Sequence, residues 1–265
     1  MSTPLVSVIM PVYNSESFVK KSVSSVLNQT YRKFELIIVN DASTDKSLAI
    51  VKSFQDPRVK IINNVKQVGV AAALNRGLHF AKGRLIARMD ADDIALRNRF
   101  SVQVKFLRKY PDVVLIGTWV TIINEQGRKI KIKKLPEDSQ KIKSHILRYN
   151  PFIHSTIMLR KSVLDSVGSY SERYNGAEDY DLFLKVVSTY KTANINKPLL
   201  QYRISKSAVT FKQLKKVELQ SLQVRINALL NYGYSFKQVI YLIKPILAYI
   251  VPARLKQLII YAAQK

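Results

Sequence analysis

The sequence predicts an α/β fold built on a mostly parallel sheet with helices on both faces. Three observations carry that prediction. Short apolar runs alternate with segments of helical periodicity through the first half of the chain. Three of those runs end in polar turns: Pro11-Val12-Tyr13-Asn14, Asn40-Asp41-Ala42-Ser43-Thr44-Asp45 and Asp90-Ala91-Asp92-Asp93. Apolar residues make up 47% of 265 residues, ample for one large core, and cysteine is absent. The lack of cysteine excludes disulfides, thiolate metal sites and a cysteine nucleophile.

The elements follow in order. Val6 to Met10 reads as a first strand, and Ser15 can cap a helix reaching Leu27, with Phe18, Val19, Val23, Val26 and Leu27 at helical spacing. Glu35 to Val39 is a second strand, and Thr44 or Asp45 opens a helix towards Phe54. Val59 to Ile62 is a third strand, followed after Gly69 by an alanine-rich helix from Val70 to Ala81. Arg84 to Met89 is a fourth strand, a helix spans about Arg97 to Lys109, and Val113 to Ile116 is a fifth strand. Beyond residue 118 the pattern changes. Trp119 to Ile123 and Lys129 to Lys133 suggest a hairpin around Asn124 to Gly127, the second arm an edge strand with lysines turned outward. A helix from about Pro136 to Leu147, a strand near Thr156 to Leu159 and a helix from Tyr180 to Ser188 follow. From Lys212 onward the chain reads as amphipathic helices with breaks near Gly233, Pro245 and Pro252.

A net charge of +25 makes polyanions the natural partners: nucleic acid, an anionic membrane surface, or nucleotide and phosphate substrates. Against that background, three of 18 acidic residues crowd into Asp90-Ala91-Asp92-Asp93. Like charges so close repel, and a hard divalent cation such as Mg²⁺ or Mn²⁺ relieves the repulsion. A solvated acidic turn is the plain alternative. Ligands of parallel sheets bind at the carboxyl ends of the strands, so the three polar ends converge on one edge. There, a carboxylate at Asp41 can accept a nucleobase N–H or serve a helix cap. Glu178-Asp179 begins a helix, where acids are favoured in any case, and could also offer a general base. Arg76, Arg88, Arg97 and Arg99 could bind a diphosphate or balance charge, and His154 fits a hydrogen-bonded structural residue. No phosphate-binding G-x-x-x-x-G-K-[ST] loop, G-x-G-x-x-G, G-x-S-x-G or H-E-x-x-H is present.

In this order the segments resemble glycosyltransferase family 2, whose members have the GT-A fold. The resemblance rests on Val6 to Asn14, Glu35 to Asp45, Gly69 to Gly77, Ala87 to Asp93 and Ala177 to Leu182, within about residues 5–204. It implies inverting transfer of a sugar from a nucleotide-diphosphate donor of UDP or dTDP type, with Mn²⁺ or Mg²⁺, to a saccharide or lipid-linked acceptor. Carried over, Asp41 contacts the base, and Pro11, Tyr13, Asn14 and Arg76 line the nucleotide-sugar pocket. Asp90 faces the ribose and with Asp92 forms the D-x-D metal pair, with Asp93 behind them. Asp179 is the catalytic base, with Glu178 beside it. Many relatives carry Asp in place of Asn40, proline near Arg97, and histidine in place of Ser205. The resemblance divides the chain into a GT-A domain over 1–210, with a nucleotide-sugar half about 1–118 and an acceptor half about 119–210, and a basic helical segment over 211–265.

Ile240 to Val251 is the most apolar stretch, interrupted by Lys244 and Pro245 and short of the ~20 residues of a spanning helix. Such helices lie in a membrane interface or pack on the domain. The first option, with an N-terminal apolar run too short for a signal peptide, suggests a cytoplasmic protein held peripherally on the inner face of the plasma membrane. Two rival functions remain at this level. A basic nucleic-acid-binding module rests on charge alone, although no specific nucleic acid is expected from the motifs. A nucleotidyltransferase would share the fold class and the metal acids but would want a glycine-rich loop after the first strand.

Overall fold

The computed structural model describes residues 3–204 and 214–250. The expectations at Ser205 and Pro252 lie outside those residues. Nine strands join in one sheet of order β3-β2-β1-β4-β8-β6-β9-β5, with β7 paired to β6. The strands are β1 (Val6–Val12), β2 (Phe34–Asn40), β3 (Val59–Asn63), β4 (Leu85–Arg88), β5 (Ile94–Ala95), β6 (Val113–Ile123), β7 (Lys129–Lys133), β8 (Met158–Arg160) and β9 (Lys191–Arg203). The helices are α1 (Val19–Leu27), α2 (Ser47–Lys52), α3 (Val70–Phe80), α4 (Arg99–Lys109), α5 (Ser139–His145), α6 (Val163–Val167), α7 (Glu178–Thr189), α8 (Leu214–Asn231) and α9 (Ile243–Ile250).

Side-chain alternation along the strands builds two cores. Ile9, Ile37, Val39, Ile86, Leu115 and Leu159 face α3, α5, α7 and α8. Val8, Met10, Leu36, Ile38, Ala87, Ile116 and Met158 face α1 and α4. Both faces are covered, so the central strands are near-continuous apolar runs. Helix α3 sits close enough that a Cβ on Gly77 would come within 2.5 Å of the Ile9 side chain.

The sheet is parallel across β3-β2-β1-β4. It then becomes mixed, because β8 inserts antiparallel between β4 and β6. The expected fifth strand and first hairpin arm are one strand, β6, whose register shifts around Thr118–Val120 against β9. Strand β9 was not anticipated. Asn196-Lys197-Pro198 interrupts its apolar pattern, and the register slips at Trp119, opposite Pro198. All five residues of β7 are exposed, so its lysines do point outward, but Ile130 and Ile132 are not buried either.

Helix α3 begins at Val70 as expected and α7 begins at Glu178, ahead of the expected Tyr180, whereas α1, α2, α4 and α5 begin later than expected. The Ser15 hydroxyl donates to Tyr13 O, not to a helix end, and α1 begins at Val19. Helix α5 begins at Ser139, after Asp138 accepts the Lys141 amide at 2.8 Å. In the C-terminal region, Gly233 breaks the chain at φ 74°, as expected. Pro245 does not break it: it lies in the first turn of α9, where its missing N–H removes no intrahelical bond. Helix α8 packs on α7 and its surroundings. Val224 and Ala228 are fully buried, Arg225 Nε donates to Leu147 O (2.9 Å), and the Tyr232 and Tyr234 hydroxyls donate to Asp181 Oδ1 and Leu184 O (2.8 Å each).

Candidate active site

The ends of β1 and β2 are built together. Asn14 (φ 45°) and Ala42 (φ 56°) both lie in the left-handed region, unusual for residues with a Cβ and typical of functional turns. Hydrogen bonds hold them there. The Asn14 amide donates to Ser43 Oγ (3.1 Å), and Asn14 Oδ1 accepts the Thr44 amide (2.8 Å). Tyr13 stands 41% exposed beside them, and Pro11 is half-buried at the end of β1. Asp41 is buried. Its carboxylate accepts Asn64 Nδ2 (2.7 Å) and the amides of Val68 and Gly69 (2.9 Å each). A carboxylate has about four acceptor sites, so one remains for a ligand. Arg76 donates to Asn64 Oδ1 and so joins the same network.

The acidic cluster follows β4. Asp90, Asp92 and Asp93 bring carboxylate oxygens within 4.8 Å of one another. Arg88, almost fully buried, donates through Nη1 to Asp90 Oδ2 and to Ser155 Oγ (2.9 Å), and Ser155 Oγ also donates to Asp90 Oδ2. Arg203, at the end of β9, clamps the turn from the other side. Its amide donates to Asp93 Oδ1 (2.8 Å), its Nε to Asp92 O (2.8 Å), and its Nη1 to Glu125 O (2.7 Å). Burial, then the Asp90 charge, pushes Asp92 up to about 6. Burial and both neighbours push Asp93 well above the carboxylate range. Asp93 Oδ2 is buried with no hydrogen-bond partner. Crowded, under-compensated hard oxygen donors suit a divalent cation of the Mg²⁺ or Mn²⁺ kind.

The second acidic pair opens α7. Glu178 Oε2 accepts the Gly176 amide at 2.5 Å. Asp179 accepts the Tyr180 amide on Oδ1 (2.7 Å) and Asn150 Nδ2 on Oδ2 (3.1 Å). Burial, then the Glu178 charge, pushes Asp179 up to about 7. Two links put this pair beside the other strand ends. The loop between α5 and β8 touches both acid groups, with Asn150 on Asp179 and Ser155 on Asp90. On the far side, a Cβ on Gly69 would meet the Asn175 side chain at 2.6 Å, so the turn bound by Asp41 packs against the Asn175-Gly176-Ala177 segment that leads into the α7 acids. These contacts make the segments that carry Asp41, the Asp90–Asp93 cluster and Asp179 neighbours at the strand ends.

A family model, glycosyl transferase family 2, matches residues 7–168. The chain belongs to glycosyltransferase family 2. It is 33% identical over 251 residues to the Escherichia coli UDP-Glc:alpha-D-GlcNAc-diphosphoundecaprenol beta-1,3-glucosyltransferase WfgD, covering 88% of this chain and 93% of that one. Among solved structures, Staphylococcus aureus TarS 1–349 in complex with UDP superposes with a TM-score of 0.70 at 19% identity, covering 91% of this chain and 70% of that one. The Pyrobaculum calidifontis mannosyltransferase PcManGT, in complex with GDP-Man and Mn²⁺, gives 0.63 at 17% identity over 99% of this chain and 81% of that one. The fold is therefore GT-A-like, and this family 2 chain is a glycosyltransferase. Family membership selects among the three functions that composition and motifs left open.

Pro11, Tyr13, Asn14, Asp41, Asp90 and Asp92 stand at or just past the ends of β1, β2 and β4, Arg76 on α3, and Glu178 and Asp179 at the start of α7. Arg88, Asn150, Ser155 and Arg203 contact the acids directly. Arg88 had two readings, and its contact with Asp90 makes it a charge partner of that acid. Arg99 reaches no carboxylate; its guanidinium is buried on the Arg88 and Ile157 carbonyls. Asn150, Ser155 and Arg203 carried no sequence signal as site residues, because each acts across more than 25 residues of chain. His154 is structural, as its plain reading held. It lies against the Tyr170 hydroxyl (2.9 Å), and burial followed by the Arg88 charge holds it neutral.

Proposed function

We propose that the chain transfers a sugar with inversion from a UDP- or dTDP-sugar to a hydroxyl of a saccharide or lipid-linked acceptor in cell-surface polysaccharide or glycolipid synthesis. The observation that supports this reading best is the loop that contacts Asp179 through Asn150 and Asp90 through Ser155, one segment joining the two acidic groups. In this reading Tyr13, Asn14, Pro11, Asp41 and Arg76 bind the nucleotide. Asp90 and Asp92 are the residues that would hold Mn²⁺ or Mg²⁺, and Asp93 supports them. When bound, the cation supplies positive charge against the departing diphosphate. Asp179, poised near neutral pH, takes the proton from the acceptor hydroxyl, and the environment that raises its pKa makes it a stronger base once ionised. Transfer is a single displacement at a centre with oxocarbenium character. UDP in the TarS complex supports the nucleotide type, and Mn²⁺ with GDP-Man in PcManGT supports the cation. A panel of nucleotide sugars with and without Mn²⁺ tests the proposal, with NMR assignment of the product anomer. Metal-dependent consumption of a UDP- or dTDP-sugar with an inverted product is expected; a retained anomer or no donor turnover overturns it.

The C-terminal helices support a peripheral membrane location on the cytoplasmic face. Phe236, Ile240, Ile243 and Leu247 recur every three or four residues and are 71%, 61%, 54% and 58% exposed. Lys237 and Lys244 flank them, matching apolar insertion to anionic headgroups. No helix among the described residues is long and apolar enough to cross a membrane. Co-sedimentation with anionic liposomes that weakens with salt is expected; equal recovery with neutral and anionic vesicles at low salt would rule it out.

A further inference from the structure

We propose that Trp119 is the stacking platform of an acceptor-saccharide subsite, one sugar or more away from the reacting hydroxyl. The inference rests on the glycosyltransferase reading above and adds where the acceptor is held. Trp119 is the only tryptophan of the chain, half-buried at the register shift of β6. Shifts of this kind re-aim a side chain beside a functional site. Its indole Nε1 donates to Leu135 O (3.1 Å), which fixes the ring, and the Lys134 ammonium lies 5.3 Å from the ring centroid. The ring borders a cavity of about 530 Å³ whose rim is polar, with Glu137, Asp138, Lys134 and Lys141. An apolar ring within a hydrogen-bonding rim fits a pyranose, which offers a C–H face and hydroxyl edges.

Position joins this cavity to the two acidic groups. Thr118, the preceding residue, donates its amide to Thr156 Oγ1 (3.2 Å), and Ser155, next to Thr156, donates to Asp90. The cavity wall at Pro136 shares the Asn194 amide with Pro151 (2.7 and 2.9 Å), and neighbouring Asn150 holds Asp179. In sheet order Trp119 stands two strands from β4, roughly 10 Å at ordinary strand spacing, and three from β1, so it is too far from Tyr13 and Asp41 to serve the nucleobase. That separation leaves room for a donor sugar at the acids and an acceptor ring on the indole.

The single tryptophan supplies the test. Its emission is followed in the full chain with Mn²⁺ and UDP present while maltose, cellobiose, lactose or N,N′-diacetylchitobiose is titrated, with sorbitol as control. A saturable shift with at least one disaccharide and none with sorbitol is expected. In transfer assays Trp119→Ala should raise the acceptor KM about tenfold, the size of one well-placed aromatic contact, with a smaller change in kcat. Trp119→Tyr should recover most of the loss, because it keeps an aromatic face; a purely structural role would not be rescued this way. No saturable shift with any disaccharide, or an unchanged acceptor KM in Trp119→Ala, overturns the subsite. A disaccharide-dependent shift in a protein that turns over no nucleotide sugar would instead overturn the transferase reading and leave the subsite standing.

Discussion

The acidic turns and the braces that tie them are built by different means. The turns are local: each strand end of β1, β2 and β4 carries its own polar turn, and neighbouring parallel strands bring the turns together. The braces come from distant chain. Arg203 reaches Asp93 across 110 residues, Ser155 reaches Asp90 across 65, and Asn150 reaches Asp179 across 29. The contrast teaches that the chemical groups belong to short motifs, while their mutual geometry belongs to long-range braces. A substitution in a motif should therefore remove chemistry with little loss of fold, and one in a brace should cost both.

The largest effect tests the first half of that statement. Asp179→Asn should lower kcat by roughly 10²–10⁴-fold, the range of a general base, while donor binding persists in equilibrium titration. Near-normal transfer would move the base elsewhere. Next comes a brace. Arg203→Ala keeps the backbone amide on Asp93 but removes the guanidinium donors to the Asp92, Asn124 and Glu125 carbonyls, and it should cost about 2–4 kcal/mol of unfolding free energy together with activity. A loss of activity with unchanged denaturant midpoint would erase the distinction between motif and brace.

Third, divalent cation should stabilise the fold. At a hundred times its dissociation constant Mn²⁺ should add about 2.7 kcal/mol, seen as a higher Tm than in chelator, and Asp92→Asn should abolish the increment. The pH dependence has a definite sign. Asp179 titrates at about 7 in the folded chain, above the ordinary carboxylate value of the unfolded chain. The folded state therefore holds a proton that the unfolded state has released, and stability in chelator falls as pH rises from about 4 to about 7. Activity runs the opposite way, because the base must be ionised: kcat/KM should fall as pH drops below about 7. Asp179→Asn should flatten the stability slope. The smallest effect is expected at β7, where Ile132→Ser at an exposed position should change stability by no more than about 0.5 kcal/mol.

Legibility from the sequence follows the same division. The alternation of β1 to α4 was readable because each element buries an apolar stripe of its own period. Strand β9 was not, because Pro198 and the polar Asn196-Lys197 mask a strand whose pairing with β6 tolerates a register shift. The reading of Val113–Ile116 and Trp119–Ile123 as two strands failed for a related reason: Gly117 and Thr118 look like a break. Gly117 is instead required within the strand, where a Cβ would come within 2.2 Å of Asn194 Oδ1. Arg88 and Arg99 looked alike in the sequence, both arginines near the acids. Only their surroundings separate a guanidinium that pairs with Asp90 from one that satisfies backbone carbonyls.

By itself the sequence determined the α/β class, the three polar strand ends, the acidic pairs and the family. Apolar period, turn chemistry and short motifs are properties of neighbouring residues and survive without coordinates. Only the tertiary structure decided that Asn150, Ser155 and Arg203 brace those acids from distant chain, that β8 turns the sheet from parallel to mixed, and that the Trp119 indole is fixed on Leu135 O at a register shift. Those outcomes depend on which distant segments pack together. Packing is set by the shape and hydrogen-bond needs of the whole core, which no local window of residues contains.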